Sequence, residues 1–447
     1  MLNALISLFI IILYFVRPSW IMPIWLITEP IILPIVVFFM GITDAEESEL
    51  IIWTMFYNFN RAFLFILVYE IIKKRFHPTG NFRYLLSSLL ALSVYFVIHN
   101  ILTHFDLIII KEHVFSAIYT ITPLAVFIKK ESWPKLKYLL YVAIFVIIVQ
   151  VIWLQLNKNG VFAYIFLYGE LIKGVEDVWF MSGTFMRANA LADYISLIYL
   201  YITIDFFYRR ELSSWLFILI SVLVGYILLT SGSKLPLIVT IVNLLLCLFF
   251  FMKSKTVVLI PVIVLFCLTT FSSSVINAVD KDSGMFRIVS GLSSFTKSKS
   301  AKSSDTTFDI SANLIDQYYW ESPIIGCGYS YKGPDRAYPL RFNSAYDLTL
   351  LRADATFAYY LTEFGIVGII LYFLFFSKII RFVTPHKIRK HNIIFFILFI
   401  FYTLFSITEG GFFNPPCLMY MYVYIYALRR HFEENLLSCK MELCNVK

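Results

Sequence analysis

Apolar stretches of about 15 to 23 residues alternate with short polar connectors along most of this chain. A helix of about 20 apolar residues crosses a hydrocarbon core about 30 Å thick, and tilting accommodates moderate differences in length. The pattern therefore predicts an all-α polytopic integral membrane protein with about 12 to 13 transmembrane helices. The candidate spans are residues 2–16, 20–41, 50–72, 84–101, 112–128, 138–156, 190–207, 214–230, 234–252, 256–272, 355–376, 393–408 and 416–428.

The connectors between the spans differ in charge from one side of the membrane to the other. Every second connector from residue 42 onward is basic, and these connectors with the tail hold 21 Lys and Arg, against 5 in the alternate short loops. Because Lys and Arg accumulate in cytoplasmic loops, we expect the basic side to be cytoplasmic. The basic connectors are residues 73–83, 129–137, 208–212, 253–255, 378–391 and the tail from Arg429.

Two outward segments are longer than simple turns, residues 157–189 and residues 273–353. The second has 81 residues and is too long for a connector, so we expect one large extracytoplasmic loop that carries short helices. The domain organisation predicted from these boundaries is a bundle over 1–272, a periplasmic loop over 273–353, further spans over 354–428 and a cytoplasmic tail over 429–447.

Composition excludes several functional classes. Hydrophobic residues make up 60% of the chain and charged residues only 15%, against about a quarter charged in soluble proteins. The net charge of +8 is divided among the connectors, so it favours membrane topology over nucleic-acid binding. The six cysteines show no spacing typical of a disulfide framework or a metal site, and no phosphate-binding loop or nucleotide fingerprint is present. We therefore expect no metal and no cofactor.

The sequence TSGSK (230–234) joins two predicted spans on the outer side. Gly232 allows a tight turn, and Lys234 opens the next helix, where its ammonium group and the free backbone N–H groups favour an anion. This arrangement suits the phosphate of a lipid headgroup. The alternative is a lysine that extends to the interface at a helix end with no ligand.

The sequence GTFMRANALADY (183–194) forms the outer entrance to another span. Arg187 and Asn189 lie just outside the apolar stretch, and Asp193 lies one turn inside it. Ionisable groups at this depth are functional candidates. A structural ion pair between Arg187 and Asp193 explains the same pattern.

The long loop adds several arginines, whose planar guanidinium groups suit pyrophosphate. It also contains WESPIIGCG (320–328), in which Gly326 and Gly328 permit turns close to a ligand. Asp354 follows at the membrane entrance and is either a general base or the cap of the next helix. The arginines are Arg287, Arg336, Arg341 and Arg352.

Four segments together resemble the bacterial O-antigen polymerase (Wzy) family, which is related to the O-antigen ligases. They are GTFMRAN, LLTSGSKLPLI, YYWESPIIGCG and DATFAYYLTEFGIVGIILYFL, in this order, with the long loop before the last. The resemblance implies that undecaprenyl-pyrophosphate-linked oligosaccharide units are joined at the periplasmic face of the bacterial inner membrane, without a metal. Lys234 stands where the family usually has Arg, and Asp354 stands where the ligases typically have His.

By this resemblance Asp354, Lys234 and Arg187 are the candidate catalytic residues. Asn189 and the four loop arginines are expected to bind the substrate, because they lie on the predicted outer side. Membrane lipids and a chain-length regulator protein are the further expected partners. An O-antigen ligase that transfers glycan to lipid A-core and a lipid-linked oligosaccharide flippase are the alternatives. The absence of His from residues 273–353 favours the polymerase over the ligase, and the absence of repeated halves argues against the flippase.

Overall fold

The computed structural model describes residues 2–32, 36, 61–73, 80–103, 136–158, 167–168, 180–181, 183–184, 188–208, 210–252, 319–326, 356–383 and 389–408. These residues are almost entirely helical, which confirms the predicted all-α fold class. The exception is one short antiparallel pair between β1 (Leu167–Tyr168) and β2 (Phe180–Met181), which lies within residues 157–189.

The described helices follow the predicted spans closely. They are α1 (Leu2–Val16), α2 (Ile21–Ile27), α3 (61–72), α4 (Gly80–Thr103), α5 (Leu136–Lys158), α6 (Ala188–Tyr208), α7 (Ser214–Ser231), α8 (Lys234–Phe251), α9 (Thr356–Val383) and α10 (Arg389–Thr408).

Five of these helices contain stretches long and apolar enough to cross a membrane: Lys137–Gln155, Leu191–Tyr208, Ser214–Ser231, Lys234–Phe251 and Leu361–Arg381. Three more contain shorter apolar stretches, Ser7–Val16, Ser87–Leu102 and Asn392–Phe401. The predicted spans 112–128, 256–272 and 416–428 lie outside the described residues.

Two predicted spans are not continuous helices. Over the span 20–41, a 3₁₀ turn (Pro18–Trp20) is followed by α2 and then by a π turn (Thr28–Ile32). Pro18, Pro23 and Pro30 lack the backbone N–H that a continuous helix needs. The span 355–376 is broken within α9 at Gly365, where φ is 64° and ψ is −165°.

The helices divide between two compact units. In the first unit, α6 packs against α7 and α8, and α5 contacts α2 and α7. Most of the membrane-length part of α6 is buried, including Tyr194, Ile198 and Ile202, so α6 forms the centre of this unit. In the second unit, α9 packs against both α4 and α10.

Candidate functional site

The turn TSGSK connects α7 to α8. Gly232 ends α7 in the left-handed conformation at φ 69°, and its N–H donates to the carbonyl of Leu229 at 3.3 Å. The hydroxyl of Ser231 donates to the carbonyl of Leu228 at 2.9 Å. These bonds satisfy carbonyls that a helix end otherwise leaves open, so the turn is tight and well defined.

Lys234 is the first residue of α8 and is half-buried. The first turns of α8 are held by hydroxyl groups: Ser196 on α6 donates to the carbonyl of Pro236 at 3.2 Å, and Thr240 donates to the Ser196 oxygen at 3.0 Å. Ser196 is fully buried. The Lys234 side chain therefore extends from a fixed helix start, where the helix dipole and its ammonium group both favour an anion.

The start of the GTFMRAN motif is anchored by the amide of Gln150 on α5. Its Oε1 accepts from the Thr184 N–H at 3.0 Å, and its Nε2 donates to the Thr184 hydroxyl at 2.5 Å and to the carbonyl of Pro30 at 3.3 Å. The Thr184 hydroxyl donates to the same Pro30 carbonyl. Gln150 and Thr184 are 0% and 2% exposed, so their polar groups depend on each other in place of water.

Gly183 is required beside this network. It adopts φ 60°, and a Cβ at this position would overlap the Oε1 atom of Gln150. The Gln150 contact thus fixes the chain three residues before Arg187 and four before α6 begins at Ala188. The motif predicted roles for Arg187 and Asn189, whereas the anchoring role of Gly183 and Thr184 was not predicted.

A second site joins two of the other motifs. The break at Gly365 leaves the N–H groups of Ile366 and Val367 available, and they donate to the carbonyls of Pro323 and Ile324 at 3.0 and 3.1 Å. The segment PIIG thus caps the second part of α9 from outside the helix. The sequence WESPIIGCG and the sequence EFGIVG are therefore in direct backbone contact.

This contact needs glycine on both sides. Gly326 has φ 79°, and a Cβ there would overlap the carbonyl of Glu363. A Cβ at Gly365 would overlap the backbone of Gly326 and Ile324. Sequence analysis assigned Gly326 to a turn near a ligand; in the structure its neighbour is the broken helix.

The contact between residues 323–326 and 363–367 is called the joint below. Two residues of α4 complete it, and the sequence predicted a role there for neither. The hydroxyl of Tyr95 lies 2.7 Å from the carbonyl of Phe364 and 3.1 Å from that of Ile325. His99 is 2% exposed, and its ring centroid lies 4.9 Å from that of Phe364. Tyr95 and His99 are four residues apart on one helix face, and this spacing was the available signal.

The predicted site residues are only partly placed. Lys234 opens α8, and Asn189 lies in the first turn of α6. Asp354 precedes α9 by two residues but is outside the described residues, so its predicted roles stay predictions. The same holds for Arg187, Arg287, Arg336, Arg341 and Arg352. Among the described residues, no group of three His, Cys, Asp or Glu could hold a metal ion.

The fold and these helix-end sites define a multi-pass, all-α membrane protein. Residues 219–373, about a third of the chain, match the family model described as "O-Antigen ligase". The matched segment contains TSGSK, WESPIIGCG and the broken part of α9, and it confirms the resemblance to the O-antigen polymerase and ligase family. The match supports a membrane glycosyltransferase-type enzyme of the O-antigen ligase or polymerase type. No curated protein matches the chain.

Proposed function

We propose that this chain is an O-antigen polymerase, which joins undecaprenyl-pyrophosphate-linked oligosaccharide units at the periplasmic face of the bacterial inner membrane. The observation that carries the proposal is the match of residues 219–373, which includes the Lys234 turn and the joint at Gly365. Two features of the sequence favour a polymerase: residue 354 is Asp, where ligases typically have His, and residues 273–353 contain no His.

In the proposed reaction, a glycan leaves its lipid pyrophosphate and is transferred to a sugar hydroxyl of a second lipid-linked unit. The bond between the anomeric carbon and the pyrophosphate oxygen breaks, and the acceptor hydroxyl loses its proton to a base. Asp354 is the proposed base. The departing pyrophosphate gains negative charge, so cations held near it lower the barrier.

Among the described residues, Lys234 suits the role of a cation beside the departing pyrophosphate. Its helix start is held by the Ser196 and Thr240 hydroxyls, and an ammonium group near the departing pyrophosphate stabilises the charge that develops there. Arg187 and the arginines of the long loop are the proposed further cations, with Asn189 as a neutral donor. A lipid-linked oligosaccharide is the proposed substrate, and a chain-length regulator is a proposed partner.

An O-antigen ligase is the second candidate, because the matching family model carries that description. The lipopolysaccharide ladder of a deletion strain separates the two. A polymerase deletion leaves core with a single repeat unit, and complementation with this chain restores the ladder. A ligase deletion leaves bare core while long lipid-linked glycan accumulates. Bare core without that polymer would instead indicate the flippase.

The role of Lys234 is tested in the complemented strain. Lys234→Ala should abolish most of the ladder, because the fixed positive charge is lost, whereas Lys234→Arg should retain it. Lys299→Ala, in the Ser/Lys-rich part of the loop, is the matched control. Equal ladders from Lys234→Ala and Lys299→Ala, at equal protein levels, would remove Lys234 from the proposed site.

A further inference from the structure

One end of α9 is marked by basic side chains that lie on aromatic rings. The guanidinium carbon of Arg381 is 3.8 Å from the ring centroid of Phe395, and its Nη1 donates to the Asn392 side chain at 2.8 Å. The ammonium of Lys378 lies 5.5 Å from the ring centroid of Tyr84. Cations, amides and aromatic rings of this kind gather at the headgroup level of a membrane.

The joint at Gly365 lies less than one membrane thickness from that basic end. The helix is continuous from Ile366 to Arg381, which spans about 22 Å, whereas the hydrocarbon core is about 30 Å thick. Tilt of the helix shortens this distance along the membrane normal. The carbonyls of Pro323 and Ile324, which bond to the start of this helical part, are therefore at the same depth.

Four backbone carbonyls of this segment are satisfied in the way that a membrane requires. Four successive carbonyls accept hydrogen bonds: Ser322 from the Gly326 N–H at 2.8 Å, Pro323 and Ile324 from α9, and Ile325 from the Tyr95 hydroxyl. Non-helical backbone at membrane depth is tolerated only where protein or trapped water satisfies its polar groups. These four carbonyls meet this condition through protein contacts.

Three apolar side chains of the same segment are exposed. Trp320 is 70% exposed, Ile324 66% and Ile325 44%. Ile366 and Ile370 of α9 are also exposed, at 43% and 52%, on a helix long enough to cross the membrane. In water these side chains would carry a large solvation penalty, whereas lipid removes it.

We propose that residues 319–326 form a re-entrant segment, which enters the bilayer from the end opposite Lys378 and Arg381 and presents Trp320 and Ile324 to lipid. Part of the long segment between α8 and α9 is then a lipid-contacting surface, continuous with the outward side chains of Ile366 and Ile370. This inference does not depend on the proposed enzymatic activity.

Spin labels on the full chain in phospholipid nanodiscs test the depth. A label at Ile324→Cys, with the six native cysteines replaced, should collide readily with oxygen and poorly with a water-soluble nickel chelate. Its collision rates with oxygen and with the nickel chelate should resemble those of a label at Ile370→Cys. They should differ several-fold from those of a label at the exposed Glu211→Cys. If the label at residue 324 is as accessible to the nickel chelate as the label at residue 211, the proposal is overturned.

A second measurement needs no labelled cysteine. Brominated lipids quench tryptophan fluorescence only by contact at membrane depth. Wild-type chain in brominated nanodiscs should therefore lose more emission than Trp320→Phe, because the substitution removes one quenched tryptophan. If the emission contributed by Trp320 is the same in brominated and ordinary lipid, the residue faces water and the proposal fails.

Discussion

At Gly326 and Gly365 two backbones meet with no room for a side chain between them. Each residue has a positive φ, and each would place a Cβ onto the backbone of the partner segment. The joint therefore depends on the absence of two side chains rather than on any charged group. Its sensitivity to small substitutions follows directly from this geometry.

The substitution Gly326→Ala should lower the stability of the protein by about 2 kcal/mol or more, because it adds a left-handed alanine and a clash with the Glu363 carbonyl. The thermal unfolding midpoint in detergent measures the effect. Gly225→Ala is the matched control, since a Cβ there meets nothing within 4 Å. Equal midpoints for the two variants would contradict the structure of the joint.

Tyr95→Phe removes one hydroxyl from the same joint and keeps the ring. The carbonyls of Phe364 and Ile325 lose the hydrogen bond from this hydroxyl, so we expect a loss of about 1 kcal/mol. Thermal unfolding of the full chain in detergent is the measurement. Tyr141→Phe is the control, because Tyr141 is 54% exposed on α5. A Tyr95→Phe midpoint no lower than that of the control would argue against the bond.

At this scale the sequence predicted some features and missed others. The glycines after Pro323 indicated tight backbone geometry, and Gly326 does have a positive φ. Their partner could not be predicted, because Gly326 and Gly365 are far apart in sequence and no charge pattern links them. Tyr95 and His99 were missed for a similar reason, since their contacts are with backbone carbonyls and a phenylalanine ring.

At the scale of the elements, α6 begins where Gln150 holds the preceding chain. Gln150 satisfies the N–H and hydroxyl of Thr184 together, and both residues are buried. A half-satisfied polar network in a protein interior is costly. The Gln150 contact therefore anchors the chain at Thr184, four residues before α6 begins at Ala188.

Replacing Gln150 by Leu should destabilise the protein by about 1 to 3 kcal/mol, because the Thr184 N–H loses its acceptor in a buried site. Gln155→Leu is a closely matched control: it lies on the same helix, is exposed and bonds only to the Tyr226 hydroxyl among the described contacts. Thermal unfolding in detergent compares the two variants. If the thermal unfolding midpoints of Gln150→Leu and Gln155→Leu are equal, the hydrogen bonds of Gln150 to Thr184 and Pro30 do not stabilise the protein.

The helices themselves were largely predictable, because apolar length alone decides whether a stretch can cross a membrane. The predicted span 138–156 lies within Leu136–Lys158, and 214–230 within Ser214–Ser231. The breaks within the helices were harder to predict than the helices themselves. Proline marked the interruption after Pro18. The break at Gly365 depends on hydrogen bonds that the N–H groups of Ile366 and Val367 donate to the carbonyls of Pro323 and Ile324, and these distant acceptors have no local signature.

At the scale of the whole molecule, sidedness connects the helices to the proposed activity. α7 has 18 residues and spans about 27 Å, so the connector before it and the turn after it lie on opposite sides of a membrane. The connector contains Arg209 and Arg210, whereas the turn contains Lys234 as its one basic residue. The excess of positive charge predicts a cytoplasmic connector and a periplasmic turn.

Reporter fusions test this sidedness directly. Alkaline phosphatase requires disulfides that form in the periplasm, so a fusion after Ser233 should be active and one after Glu211 inactive. Green fluorescent protein fused at the same two positions should give the reverse pattern, which controls for expression. Activity after Glu211 with inactivity after Ser233 would place Lys234 in the cytoplasm. The lipid-pyrophosphate-linked glycan is proposed to react at the periplasmic face. A cytoplasmic Lys234 could therefore not bind its pyrophosphate, even if Lys234→Ala reduced the ladder.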